Sequence, residues 1–229
     1  MAWLIHVALV ARYDERRVLS VRIVVSQRAS YHHGNLRRAL LDAALRVLEK
    51  RDAKSLSLRE VARQAKVSHT APYRHFAHKQ ALLAAVAEEG FMTFGEYLKA
   101  AKDKDIVSPL QALQHTGAAY VRYALEHPTH YRVMFGRDLE DCEAYPSLVS
   151  AANATFDILV EIVRAGQVKG VIKSGDTRQL ALGAWAQVHG LAMLLLDGQL
   201  PSRSIEENEA LVVQIVQSSI AGLAIASES

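Results

Sequence analysis

The amino-acid sequence predicts an all-α protein: a small N-terminal three-helix unit containing a helix-turn-helix, followed by a larger helical bundle, about nine helices in all. Three observations carry this. After residue 35, apolar residues recur at three- and four-residue spacing, and no segment clearly alternates as a half-buried strand would. Alanine and leucine dominate the hydrophobic 50% of the chain, and both are strong helix formers. Only five prolines interrupt 229 residues, so long helices are possible.

Residues 1–30 fit no part of this scheme. The apolar run from Trp3 to Ala11 is too short to span a bilayer, and charges from Arg12 to Arg17 close it. No basic segment precedes it and no small-residue cleavage site follows, so it does not read as a secretory signal. Val18 to Val25 has the composition of a short strand. We expect an N-terminal extension, of the kind that a start codon assigned too far upstream would add. Val18, Val21, Val24 and Val25 offer alternative GUG starts.

The first helix is expected from about Asn35 to Lys50. Leu36, Ala39, Leu40, Ala43, Ala44, Val47 and Leu48 share one face, Gly34 breaks the chain before it, and Asn35 supplies a cap. Ser57-Leu58-Arg59-Glu60 has the S-x-x-E form of a capping box. The second helix therefore starts at Leu58, runs to about Lys66 and buries Val61, Ala62 and Ala65. A helix so short needs tertiary support. For the third, Ser68 and Thr70 compete as cap. Pro72 favours Thr70, because proline then falls in the first turn, where backbone donors have no partner anyway. That helix is expected to end near Phe76. Further helices are expected over 79–102, 109–126, 129–135, 146–168, 177–196 and 205–225. Breaks fall at His127-Pro128 and between Gly170 and Gly175, with Asp176 as a cap.

The net charge of +3 is unevenly placed. Residues 31–80 hold eleven Lys and Arg against four acids, a net +7, while residues 81–229 carry a net −7. The first unit attracts a polyanion and the second would be repelled by one. Other chemistries find little support. The single cysteine, Cys142, excludes an intramolecular disulfide and fits a reducing cytoplasm. His127-x-x-His130-Tyr131 has no acidic or cysteine partner at helical spacing, so no metal is expected. There is no Glu-x-x-His pair, no glycine-rich phosphate loop and no nucleophile elbow, and we expect neither catalysis nor a cofactor. Leu191 to Leu196, LAMLLL, is too short for a membrane span and suits a buried or interface helix.

The positive unit contains the most informative stretch, Val67 to His78, VSHTAPYRHFAH, followed by Lys79. A serine or threonine cap, then exposed aromatic, basic and histidine side chains, is what a helix end needs to sit on a phosphate backbone and reach base edges. Phe76 belongs to the core. Candidate base contacts are His69, Thr70 and Arg74, with Arg59 from the second helix, since an arginine can grip guanine in two places. Ser68 serves as cap and phosphate donor, and Ala71 completes the set. His32, His33, Arg37 and Arg38 open the first helix and are placed to reach the backbone or an adjacent minor groove.

From Leu36 to Val86, centred on SLSLREVARQAKVSHTAPYRHFAHKQALLAAVAEE, the chain resembles the DNA-binding domain of TetR/AcrR transcriptional regulators. The resemblance implies phosphate contacts by Tyr73, His75 and Lys79. It also implies a dimeric repressor on a palindromic double-stranded operator, with residues 31–80 as the DNA-binding domain. Residues 81–229 would then form a helical domain that dimerises through its last two helices and binds a small inducer. Trp185-Ala186-Gln187-Val188-His189-Gly190 resembles the Trp-His-Gly signature of one C-terminal subgroup. Trp185 and His189 share a helix face and are candidate ligand contacts, with core packing or a dimer interface as the alternative. The Ala, Leu and Val content of these helices, with scattered Tyr and Phe, favours an apolar or aromatic ligand. Two positions depart from the family pattern: Lys66 stands where the tight turn usually has glycine, and Pro72 replaces a frequent leucine. Two other functions stay open, a constitutive DNA-binding protein without inducer and, with no motif behind it, an all-helical enzyme.

Overall fold

In the computed structural model the described residues are 30–102, 108–201 and 205–223, with side chains described from Leu36 onward except at 205–206, 208–209 and 219–223. They form eight α-helices and no β-strand. These are α1 (Ser30–Leu48), α2 (Leu58–Gln64), α3 (Lys79–Lys102), α4 (Pro109–Glu126), α5 (Pro128–Phe135), α6 (Pro146–Val168), α7 (Thr177–Leu196) and α8 (Ile205–Leu223). Residues 1–29, on which the expected extension falls, lie outside the described residues.

Local chemistry explains most boundaries. Ser57 Oγ accepts the Glu60 amide at 3.2 Å and opens α2. Only half of the expected capping box forms, because the Glu60 carboxylate pairs with Arg63 at 2.6 and 3.2 Å. Ser108 Oγ accepts from the Gln111 amide at 3.3 Å ahead of Pro109, and Asp176 accepts from the Gln179 amide at 2.9 Å. Each satisfies a donor that the helix leaves over.

Three differences from the expected elements have physical causes. Helix α1 begins at Ser30 and runs through Gly34 and Asn35. A mid-helix glycine costs about 1 kcal/mol, which does not by itself end a helix. Helix α2 stops at Gln64, because Lys66 takes φ 57°. The Val67 amide then bonds to the Ala62 carbonyl at 3.0 Å and the Lys66 amide to the Arg63 carbonyl at 3.1 Å, a Schellman ending. The third expected helix is a single 3₁₀ turn, Pro72–Arg74, which leaves eight α-helices among the described residues instead of nine.

Helix α3 ties the two parts together. Its first turns bury Leu82, Leu83 and Val86 where α3 meets α1, and further along Phe91, Phe94 and Leu98 enter the core of the larger unit. There α3 packs on α4, α5 and α6, while α4 also packs on α7 and α8. A Cβ at Gly90 would meet Met134 Sδ at 2.6 Å, so glycine here lets α5 lie directly on α3. By length and composition α6 and α7 could each cross a membrane, α7 over more than its LAMLLL segment. Both pack on other helices of the bundle, α6 on α3 and α4 and α7 on α4 and α8.

Candidate nucleic-acid interface and effector cavity

The N-terminal unit presents its candidate residues on one short turn. Pro72 and Phe76 are buried and anchor it. Ser68, His69, Thr70, Tyr73 and Arg74 are exposed around them, and Tyr73 keeps 53% of its surface open. Neither rival cap binds a backbone amide of the turn; their hydroxyls lie 3.3 Å apart and bond to each other. Proline has no N–H to offer the Ser68 carbonyl, so the Ala71 amide takes that carbonyl at 3.0 Å instead. The expected start at Thr70 is thereby replaced by a start at Pro72, with Ala71 in front of it.

The other candidates divide. Arg59 is exposed on α2, and the Arg37 guanidinium lies over Phe76, 5.7 Å from the ring centre. Arg38 turns elsewhere, to Asp42 at 2.9 Å and Glu89 at 3.0 Å. His75 is half-buried beside Phe76. Lys79 Nζ donates to the Lys54 carbonyl at 2.9 Å, which ties the start of α3 to the loop before α2 and leaves two donors of the ammonium group. The side chains of His32 and His33 lie outside the described residues.

A second site lies in the larger unit. A partly open cavity of about 60 Å³ is walled by Phe91, Phe94, Phe135, Phe156, Tyr120 and Trp185. Two threonines, Thr116 and Thr155, also line it, and no charged residue does among the described residues. Trp185 thus stands at the wall. His189 stands behind it and touches the cavity through Tyr120, whose hydroxyl lies 2.9 Å from His189 Nδ1.

Comparison with known proteins places this architecture. The family described as "Bacterial regulatory proteins, tetR family" matches residues 40–86, and "Tetracyclin repressor-like, C-terminal domain" matches residues 113–218. The chain belongs to the TetR family of transcriptional regulators. A protein of unknown function from Rhodococcus sp. RHA1 is 37% identical, with TM-score 0.74 over 86% of this chain and 100% of its own. A tetR-family regulatory protein from Rhodococcus RHA1 shares the fold at 21% identity and TM-score 0.69, covering 84% of this chain and 98% of that one. The TetR-family regulator PfmR from Thermus thermophilus does so at 19% identity and TM-score 0.62, over 78% and 97%. No curated protein sequence matches the chain.

In this TetR-family chain a polar network backs the cavity. Trp185 Nε1 donates to the Tyr120 hydroxyl at 2.9 Å, the Tyr120 and Tyr131 hydroxyls lie 3.0 Å apart, and Tyr131 lies 2.8 Å from His189 Nδ1. Burial pushes the Tyr120 and Tyr131 phenols up and His189 down to about 4, so all stay neutral near pH 7. His189 Nδ1 lies within hydrogen-bond reach of both phenol oxygens, and the ring's tautomer decides which groups donate. Through Tyr131 this network reaches α5, which packs on α3 and α1. Sequence reasoning gave Tyr131 and Thr116 no role. The signal available was a threonine inside the α4 stripe Leu113, Thr116, Gly117, Tyr120. His127 and His130 face different partners, Tyr97 at 3.2 Å and Glu89 at 3.7 Å. Glu126 does stand four residues before His130, correcting the expectation of no acid at helical spacing, but it accepts from the Tyr97 hydroxyl at 2.9 Å, and no cluster of three metal-ligating side chains occurs among the described residues.

Proposed function

We propose that this regulator is a dimeric, cytoplasmic repressor that a small molecule releases from a palindromic operator. Residues 31–80 serve as the DNA-binding domain and residues 81–229 as the ligand-binding and dimerisation domain, with residues 1–30 outside both. The observation that carries the reading is the exposed set His69, Thr70, Tyr73 and Arg74 on a turn held by buried Pro72 and Phe76, within a unit of net charge +7. Tyr73, His75, Ser68 and the two remaining donors of Lys79 bind phosphate oxygens. His69, Thr70, Ala71, Arg74 and Arg59 face base edges. An effector in the apolar cavity acts only through a difference in affinity between the DNA-bound and released states.

A gel-shift titration on the palindrome upstream of the protein's own gene, at several salt concentrations, tests this. The expected result is a specific shift whose log affinity falls linearly with log salt, by roughly 0.9 per phosphate contacted. A salt-independent affinity, or no preference for the palindrome over scrambled DNA, would overturn it.

A further inference from the structure

We infer that the effector is a small neutral molecule, largely apolar and ring-sized, bearing one hydroxyl or carbonyl group that pairs with Thr116. The inference rests on reading the cavity as the effector site. Thr116 and Thr155 face the same space from α4 and α6, and the contrast between them carries the argument. Thr155 Oγ1 is satisfied within the protein, lying 2.8 Å from the Ala151 carbonyl one turn back and 3.1 Å from the Phe91 carbonyl. Thr116 is only 4% exposed, and its Oγ1 has no hydrogen-bond partner among the described residues. A mid-helix threonine ordinarily bonds to the carbonyl four residues back, so an orphaned hydroxyl on a cavity wall is a polar group awaiting a ligand.

The rest of the wall sets the ligand's character. Its aromatic rings offer dispersion and edge-to-face contact, and the described residues of the wall supply no counter-ion. Arg178, stacked over Phe156 at 5.1 Å, is already paired with Asp157 at 2.9 Å. His189 is neutral and its Nδ1 is engaged by two tyrosines. A charged ligand would lose its hydration here and gain no partner. The cavity of about 60 Å³ exceeds the space of a single water several-fold but falls short of the ~150 Å³ of an apolar cavity that takes benzene, so a ring enters only as the wall side chains give way.

Isothermal titration calorimetry on the full-length chain near pH 7, without DNA, separates the terms with three probes of one shape: p-cresol, p-xylene and p-toluate. We expect p-cresol to bind on the order of tenfold more tightly than p-xylene, and p-toluate not to bind. In Thr116→Val the preference for p-cresol disappears. In Thr155→Val, which removes a hydroxyl already engaged, the preference persists. Equal binding of p-cresol and p-xylene to the unaltered chain would overturn the inference. So would tighter binding of p-toluate, a preference that survives Thr116→Val, or no binding by any of the three. Because no DNA is present, a failure of operator recognition would leave this result standing. Binding of p-toluate alone would overturn the ligand chemistry and leave the effector site in place.

Discussion

Lys66 occupies a backbone conformation that suits glycine, with φ 57° at the end of α2. An L side chain there brings its Cβ close to the following carbonyl, at a cost on the order of 1 kcal/mol. Lys66→Gly relieves that contact and keeps both bonds of the Schellman ending, so urea unfolding should show a gain of about 1 kcal/mol. An unchanged midpoint would mean that the turn carries no strain. His189 and His130 make the opposite kind of prediction, in which a side chain is stressed by pH. Burial lowers both to about 4, against an ordinary value of 6.5. Between those values the unfolded chain binds the protons that the folded chain refuses, so stability rises with pH there. It is fully present above about 6.5 and is lost as pH falls towards 4. Thermal unfolding from pH 7.5 to 4 should show this decline, and His189→Asn, which keeps an acceptor but does not titrate, should show a shallower one. An identical pH profile in the variant would remove His189 from the account. The odd turn residue was legible in the sequence at Lys66. The lowered histidines were not, since their burial comes from helices far apart in the chain.

The helices from α4 to α7 were legible because their ends carry explicit chemistry: Ser108 before Pro109, Pro128, Pro146, and Asp176 before Thr177. The recognition element is legible in the sequence as a location but not as a shape. Pro72 reads as a tolerated first-turn residue, but its missing N–H and the residue before it decide the outcome. Ala71 sits in the αR region at φ −58°, ψ −43°, immediately before proline, where the ring crowds that conformation. The segment therefore closes as a 3₁₀ turn, with the Arg74 amide on the Ala71 carbonyl at 3.2 Å. Pro72→Ala removes the crowding and restores a donor. We expect the turn to become α-helical from about Ser68, read as a newly protected amide at residue 72 and helical Cα shifts over 69–74. Side chains advance by about 120° per residue in a 3₁₀ helix and about 100° in an α-helix, so Tyr73 and Arg74 would rotate relative to Pro72. Operator affinity should then fall while its salt slope stays the same, because the phosphate charges remain. Shifts over 69–74 that match the unaltered chain would show that the sequence favours the 3₁₀ turn even without proline.

At the scale of the whole molecule, the two units divide charge and polarity, and α7 shows what a single chain leaves incomplete. Its inward residues Ala184, Val188, Leu191 and Ala192 are buried, and Trp185 meets the cavity. Its other side carries exposed Gly183, Ala186, Gln187 and Leu194, the last 46% open. A helix that is apolar on both sides needs a second covering surface. The cavity lies directly beneath this helix: Val188 of α7 and Val216 of α8 line it, and a Cβ at Gly117 would meet Val216 at 2.8 Å. A ligand that moves these valines would move the proposed dimer helices, which is a direct route from cavity to the spacing of two DNA-binding units. Gly190 offers a clean test of that surface. A Cβ built there meets no described atom within 4 Å, so a side chain can leave the helix at this position without a clash at its base. Gly190→Trp is expected to fold with an unfolding midpoint near that of the unaltered chain, to run as a monomer in analytical ultracentrifugation, and to lose most of its operator affinity, since one DNA-binding unit reaches only one half-site. A variant that stays dimeric and binds the operator normally would place the dimer interface somewhere other than α7.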